Sequence, residues 1–311
     1  MAKPRIGYLL PTRESVMEGR PEATPLLGLA ERAEALGYDS VWIGDSVISR
    51  PRHDPITLLA AAAARTTRVL LGTAVLLPAL RNPVVLAHQV ATLDRIALGR
   101  VILGVGIASD VPSIRAEFEA VGVPFEKRVG RLLEGLALAR ALWSGKPVTW
   151  TGRWTLKDAV LGPTPHRPGG PPLWLGGAVP ATIERVGHFF DGWFPNNPGP
   201  ELFADYWPRM KAAATQHGRD PAALTGAVYM TFAIDDDQVR AHATIDRFLE
   251  RYYGQPAAVI RARQPCYAGP LAGARAAIAA YVAAGANHII LRFAGDHERH
   301  LDLFAGIADT L

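Results

Sequence analysis

LLGTAVLLPALRNP, residues 70–83, opens as a buried strand and then narrows. Leu70 and Leu71 are bulky and apolar. Gly72, Thr73, Ala74 and Val75 are smaller, and Pro78 interrupts any ladder that continues past them. A tight turn accounts for such a taper. So does a flat molecule lying against the backbone where the strand ends. The flanking sequence has to separate the two.

Downstream, Asn82-Pro83 joins a capping side chain to proline at the first helical position. Leu86, Val90, Leu93 and Ala97 follow on one face, Gly99 stops the helix, and RVILGVG (100–106) is the next apolar strand. Upstream, Asp54-Pro55 caps a helix to about Arg65, preceded by the strand SVWIG (40–44), which Asp45-Ser46 closes. RIGYLL (5–10) is the first strand, and Thr24-Pro25 starts the helix that follows it. Beyond 106 the pattern predicts a helix over 127–143, a small hairpin around Thr151-Gly152, and a Pro/Gly-rich loop at 161–172. PLWLGG (172–177), DGWFP (191–195), LTGAVYMTFAI (224–234) and NHIILRF (287–293) supply four more strands. Helices are predicted from about 180, 200, 236, 271 and 297. Residues 255–270 read as irregular, and 11–22 and 107–125 as loops.

Eight apolar strands therefore alternate with helices. Continuous apolar strands imply a parallel sheet covered on both faces. The expected fold is α/β, a (β/α)8 TIM barrel spanning 1–311 as a single domain, with insertions after strands four and seven. An open doubly wound sheet is the alternative. Its best support, Gly104-Val105-Gly106, lacks the third glycine and the acidic residue of a dinucleotide fingerprint.

The 311 residues are 49% hydrophobic, enough for one large core. One cysteine, Cys266, allows no internal disulfide and points to a reducing compartment. MAKPRIGYLLPTRE has too short an apolar run for a secretory signal, and no stretch is long enough for a membrane span. The expectation is a cytoplasmic protein. The net charge of +4 comes from interspersed residues, with no basic block to bind nucleic acid, and suits an anionic small molecule.

In a barrel the C-terminal strand ends surround the active site. That nominates Pro11-Thr12-Arg13, Asp45-Ser46, Thr73 to Val75, Gly106 to Asp110, Gly176 to Ala178, Phe194-Pro195-Asn196, Thr231 and Arg292-Phe293. No HExxH or GxSxG motif occurs, which speaks against a metal or serine hydrolase, and no metal site is expected. His297 and His300 read as a solvated helix face beside Glu298 and Arg299. A site with few strong acids and bases suits a cofactor that carries the chemistry. Gly176-Gly177-Ala178 leads into a helix, whose free N–H groups hold a phosphate or merely make a turn. Trp42, Trp193, Phe194 and Phe293 are candidates for an apolar substrate pocket.

LGTAVLLPALRNPVVLAHQVATLDRIALGRVILGVG (71–106) resembles the signature block of the bacterial luciferase-like flavin oxidoreductases. SVWIGDS (40–46), GPTPHRPGGPPLWLGGA (162–178), HFFDGWFP (188–195) and YVAAGANHIILRF (281–293) are similar to the same family. The resemblance implies the barrel fold, FMN or coenzyme F-420 as cofactor, a small-molecule substrate and a homodimer. It implies a non-prolyl cis peptide at Ala74–Val75, so that Thr73, Ala74 and Val75 press on the flavin ring. It places Gly106 and Ile107 beside the cofactor, and Gly176, Gly177 and Ala178 at its phosphate. Asp45 and Ser46 fall at the family's catalytic position, where many members carry histidine in place of Ser46. A hydroxyl is too weak a base for histidine's role near neutrality. The arginine that luciferases use for phosphate after strand four is also missing, which turns attention to Arg13, Arg185 and Arg292. The implied activity is oxygenation through reduced FMN or hydride transfer through coenzyme F-420. A non-catalytic flavin-binding barrel and a metal-dependent barrel hydrolase are the alternatives.

Overall fold

The computed structural model describes residues 3–195 and 199–311; Asn196, nominated above, lies outside the described residues. The strands are β1 (Arg5–Leu9), β2 (Ser40–Ile43), β3 (Leu70–Thr73), β4 (Val101–Val105), β5 (Val148–Thr151), β6 (Thr155–Ala159), β7 (Leu173–Leu175), β8 (Gly192–Trp193), β9 (Thr225–Ile234), β10 (Cys266–Gly269) and β11 (His288–Phe293). Parallel pairing runs β9-β11-β1-β2-β3-β4-β7-β8, and β8 pairs back onto β9, which closes an eight-strand barrel. β5 and β6 form the antiparallel hairpin inserted after β4.

Local chemistry sets the elements. Asp54 caps helix Pro55–Arg65 by accepting the Thr57 N–H, and Asn82 does the same for Val84 at helix Pro83–Ile96. Asp237 caps helix Gln238–Tyr253, which ends at Gly254 in the left-handed conformation. Thr24 is not a cap: Ala23 occupies that place and no side chain bonds the first turn.

The barrel interior is aromatic. Trp42 lies 5.2 Å from both Trp174 and Phe194, centroid to centroid, among Leu9, Ile102, Ala227 and Ile290. Gly72 makes room for it, because a Cβ there would overlap the Trp42 ring. Outside, the apolar faces of the strands pack on the surrounding helices through residues such as Val41, Leu71, Leu103, Leu59, Val90 and Leu136. Trp193 and Phe293 belong to that outer layer: Trp193 packs on Phe203 and Tyr206, Phe293 on Tyr8 and Phe304. Neither lines a pocket with Trp42 and Phe194, because successive side chains of a strand alternate between its faces.

Other expectations are corrected. Residues 255–270 contain a short helix, Ala257–Arg261, and β10, which pairs with the far half of β9 from Thr231 to Ile234. The segments 11–22 and 107–125 contain helices Thr12–Met17 and Pro112–Ala120. Helix His297–Phe304 presents no solvated histidine face: His300 is buried and accepts the Ile234 N–H at 3.0 Å, while His297 Nδ1 meets the Tyr8 hydroxyl at 2.8 Å. The polar run His297 to His300 hid these two contacts, which come from other elements.

Candidate active site

β3 ends at Thr73, and the Ala74–Val75 peptide is cis. Thr73 is buried and its hydroxyl donates to the Gly104 carbonyl at 2.7 Å. The Ala74 N–H donates to the Ile43 carbonyl, and the chain rejoins β4 when Leu76 donates to Gly104. Ala74 and Val75 thus form a shelf between β2 and β4. Bare backbone is required around it. A Cβ at Gly104 would overlap the Thr73 carbonyl, and one at Gly106 would fall 2.6 Å from Val75 Cγ2. Val75 Cγ1 lies 3.5 Å from the Cβ position of Gly176. The ends of β3, β4 and β7 therefore meet around Val75, with half-buried Ile107 following Gly106.

Beyond β7, Gly177 takes φ +105° and its carbonyl accepts the Trp193 indole N–H at 2.7 Å. The N–H groups of Gly177, Ala178 and Val179 have no acceptor among the described residues. Nearby, helix Ala181–His188 carries Thr182, whose buried hydroxyl also has no partner among the described residues and lies 3.8 Å from the Cβ position of Gly177. Free N–H groups and an orphaned hydroxyl at a helix start form a cradle for an anion. FMN and coenzyme F-420 both carry phosphate, and this donor set fits it.

Asp45 and Ser46 are committed to other side chains. Asp45, whose side chain is 2% exposed, is bonded by both Arg81 nitrogens and by the Leu77 N–H. Ser46 donates to Glu117 Oε1 at 2.8 Å. The same oxygen accepts the N–H groups of Val47, Ile48 and Ser49, so the buried Glu117 of helix Pro112–Ala120 ties down the loop after β2.

That loop delivers Arg50 and Arg52 to a cluster of which sequence reading found only Arg13, Thr231 and Arg292. Arg292, buried at the end of β11, donates to Thr231 (3.1 Å), the Tyr253 hydroxyl (3.1 Å) and Gln264 (3.0 Å). Its guanidinium also lies 4.7 Å from the Tyr252 ring centroid, and Arg13 stacks on the same ring at 4.9 Å. Arg50 lies 5.2 Å from the Tyr253 ring. Arg52 reaches the shelf, since a Cβ at Gly44 would overlap its Nη1 and lie 3.4 Å from the Ala74 carbonyl. Glu14 is the acid among them. Burial lifts its carboxyl above the ordinary range, and the charges of Arg292, Arg52 and Arg13 only partly oppose that. Arg292 instead draws the Tyr253 phenol down against its burial. The β10 insertion and the turn of helix Gln238–Tyr253 bring Gln264, Tyr252 and Tyr253 here from far along the chain, which no local motif signals. Of the arginines singled out from sequence, Arg13 and Arg292 join the cluster; Arg185 sits in helix Ala181–His188.

Among the described residues no group of three or more His, Cys, Asp or Glu is arranged to hold a metal, and no helix is long and apolar enough to cross a membrane.

The protein family described as luciferase-like monooxygenase matches residues 4–310. A 5,10-methylenetetrahydromethanopterin reductase of Methanolobus tindarius is 31% identical over 241 residues, 74% of this chain and 71% of the relative. An F420-dependent glucose-6-phosphate dehydrogenase of Mycobacterium avium is 30% identical over 332 residues, 98% of this chain and 96% of the relative. Among solved structures, an F420-dependent secondary alcohol dehydrogenase in complex with an F420-acetone adduct superposes with a TM-score of 0.82 at 24% identity, covering 98% of each chain, and shares the barrel fold.

Proposed function

Because the chain belongs to the luciferase-like monooxygenase family, we propose that it is an oxidoreductase that uses coenzyme F-420 to exchange a hydride with a small organic substrate. The observation that carries this reading is the continuous arc from the Ala74–Val75 shelf, past Gly106 and Ile107, to the Gly177–Thr182 cradle. The arc has a flat, side-chain-poor face for a ring and an unpaired donor set for a phosphate. The choice of coenzyme leans on the F420-dependent relative that matches the chain end to end.

When bound, the deazaflavin supplies hydride exchange without oxygen chemistry. The chain's own residues do the rest. Thr73, Ala74, Val75, Gly106 and Ile107 orient the ring. Gly176 sets the entry to the cradle, and the N–H groups of Gly177 and Ala178 with the Thr182 hydroxyl hold the phosphate. Asp45 and Ser46 act by position, through Arg81 and Glu117, not as proton carriers. Glu14 is the carboxyl placed at the barrel mouth to take and give a proton, its pKa raised by burial. Trp42, Trp174 and Phe194 seal the floor and exclude water from below.

Oxygenation through reduced FMN is the second reading, supported by the matching family's description as luciferase-like monooxygenase. Separate titrations of the apo protein with coenzyme F-420 and FMN, followed by absorbance and tryptophan fluorescence, test the choice. The expected result is tight F-420 binding with FMN at least tenfold weaker. Tight FMN binding alone establishes the second reading. Failure of both below millimolar concentration defeats the cofactor assignment.

A further inference from the structure

We propose that Arg13, Arg50, Arg52 and Arg292 form the subsite for an anionic group, carboxylate or phosphate, on the substrate. The inference rests on the oxidoreductase reading and adds the substrate's chemical class.

Charge balance is the first argument. Four guanidinium groups converge on Tyr252 and Tyr253, and among the described residues Glu14 is the carboxylate whose charge acts on Arg13, Arg52 and Arg292. None of the four makes an ion pair, with Glu14 or with any other described carboxylate. Arg81, by contrast, is neutralised locally by Asp45 and Asp54. Unpaired positive charge at one end of a barrel attracts an anion.

The unused donors are the second. Each guanidinium carries five N–H groups. Arg292 spends three nitrogens on Thr231, Tyr253 and Gln264, which fix its plane. Arg52 spends Nε on the Arg50 carbonyl and a further bond on Tyr252, with no carboxylate among its partners. Arg13 spends none from Nε or Nη1, although both atoms are buried. Buried N–H donors without acceptors are rare, and planar forks of this kind match carboxylate and phosphate oxygens in pairs.

Placement is the third. Arg52 Nη1 lies beside Gly44 and the Ala74 carbonyl, so the cluster borders the shelf. It stands on β11 and on the loops after β1 and β2. The cradle at Gly177–Thr182 stands on β7, four places round the eight-strand ring from β1. The coenzyme's phosphate is thus served on one side of the mouth, and the arginines face the reacting side from the other.

The test uses coenzyme-loaded protein, with inorganic phosphate and malonate as probes and chloride at matched ionic strength as reference. The readouts are the thermal midpoint and tryptophan fluorescence, with coenzyme affinity measured on the same samples. The wild type is expected to give a saturable response to one or both probes, and their ranking tells phosphate from carboxylate. R13A and R52A are expected to weaken that response at least tenfold and the coenzyme by less than twofold. R292K, which keeps the charge but loses the fork, gives a third variant, and R209A, an exposed arginine paired with Asp205, is the control. No response beyond chloride overturns the proposal. So does a loss of coenzyme affinity with the anion response intact, which assigns the cluster to the coenzyme. If the wild type binds the anions and no coenzyme, the oxidoreductase reading falls and the anion site stands.

Discussion

Arg81 grips Asp45 through both carboxylate oxygens, with Nη1 2.6 Å from Oδ2 and Nη2 3.0 Å from Oδ1. The pair is nearly buried, and Asp45 also takes the Leu77 N–H, so it staples the end of β2 to the segment that follows the shelf. Removing one partner of a buried pair strands the other charge, at a cost of about 3 kcal/mol where a second acceptor such as Asp54 remains. Asp45→Asn is expected to lower the urea midpoint accordingly and to weaken coenzyme binding. A loss too small to resolve would show that the staple does not hold the shelf.

Gly104 has no room for a side chain, because the blocking atom is the Thr73 carbonyl of the backbone. Gly104→Ala is expected to destabilise by about 1–3 kcal/mol. At Gly106 the obstacle is the Val75 side chain, which can turn. Gly106→Ala should therefore leave stability closer to wild type while reshaping the shelf. Its signature is a coenzyme affinity that falls more than the melting temperature does.

Thr182 offers a hydroxyl that nothing in the described protein uses. A hydrogen bond to a charged group contributes about 1.5–3 kcal/mol. Thr182→Val is expected to raise the coenzyme Kd roughly tenfold or more on that scale, with the apo protein as stable as wild type or slightly more so. Unchanged affinity in a fluorescence titration would place the phosphate elsewhere.

Burial pushes His288 and His297 down to about 3, and it lowers His300 as well. All three are neutral in the fold, while the unfolded chain takes up their protons near pH 6.5. For His288 and His297 that contribution is present above that pH and is lost as pH falls from about 6.5 toward 3, by up to about 1.4 kcal/mol per pH unit for each of the two. His297→Gln, which keeps an acceptor for the Tyr8 hydroxyl, should flatten the acid limb of a stability–pH curve by one proton. An unaltered slope would mean that His297 charges within the native state.

Glu14 has the opposite sign. Its folded pKa is raised, so the stability associated with its protonated form is present at acid pH and is lost as pH rises through that value. Glu14→Gln is expected to raise the thermal midpoint above neutrality, with the gain vanishing toward pH 4. If Glu14 also holds the reaction's proton, turnover falls in the same variant. Stabilisation with full activity would leave Glu14 a bystander.

Much of the architecture was legible in the chain alone. Asp54-Pro55 and Asn82-Pro83 are local devices whose caps depend on neighbours two or three residues away, so reading along the sequence finds them. Continuous apolar strands declared a covered parallel sheet, and the small residues from Gly72 to Val75 marked the shelf. The residues expected to meet a cofactor do lie together at the ends of β3, β4 and β7, because strand order alone makes them neighbours.

Tertiary structure decided which side chains are free to act. Asp45 and Ser46 looked like the reactive pair, yet Arg81 and Glu117, 36 and 71 residues away, occupy them. Residues 255–270 read as irregular because prolines and glycine dilute the pattern, but pairing with the far half of β9, from Thr231 to Ile234, makes part of them a strand. That pairing carries Gln264 to Arg292, and the barrel's closure sets Arg13 and Arg52 against Tyr252. Capping and periodicity are short-range and survive in one dimension. Neutralisation of charge and satisfaction of donors depend on which distant groups arrive within about 3 Å, and only the folded barrel determines that.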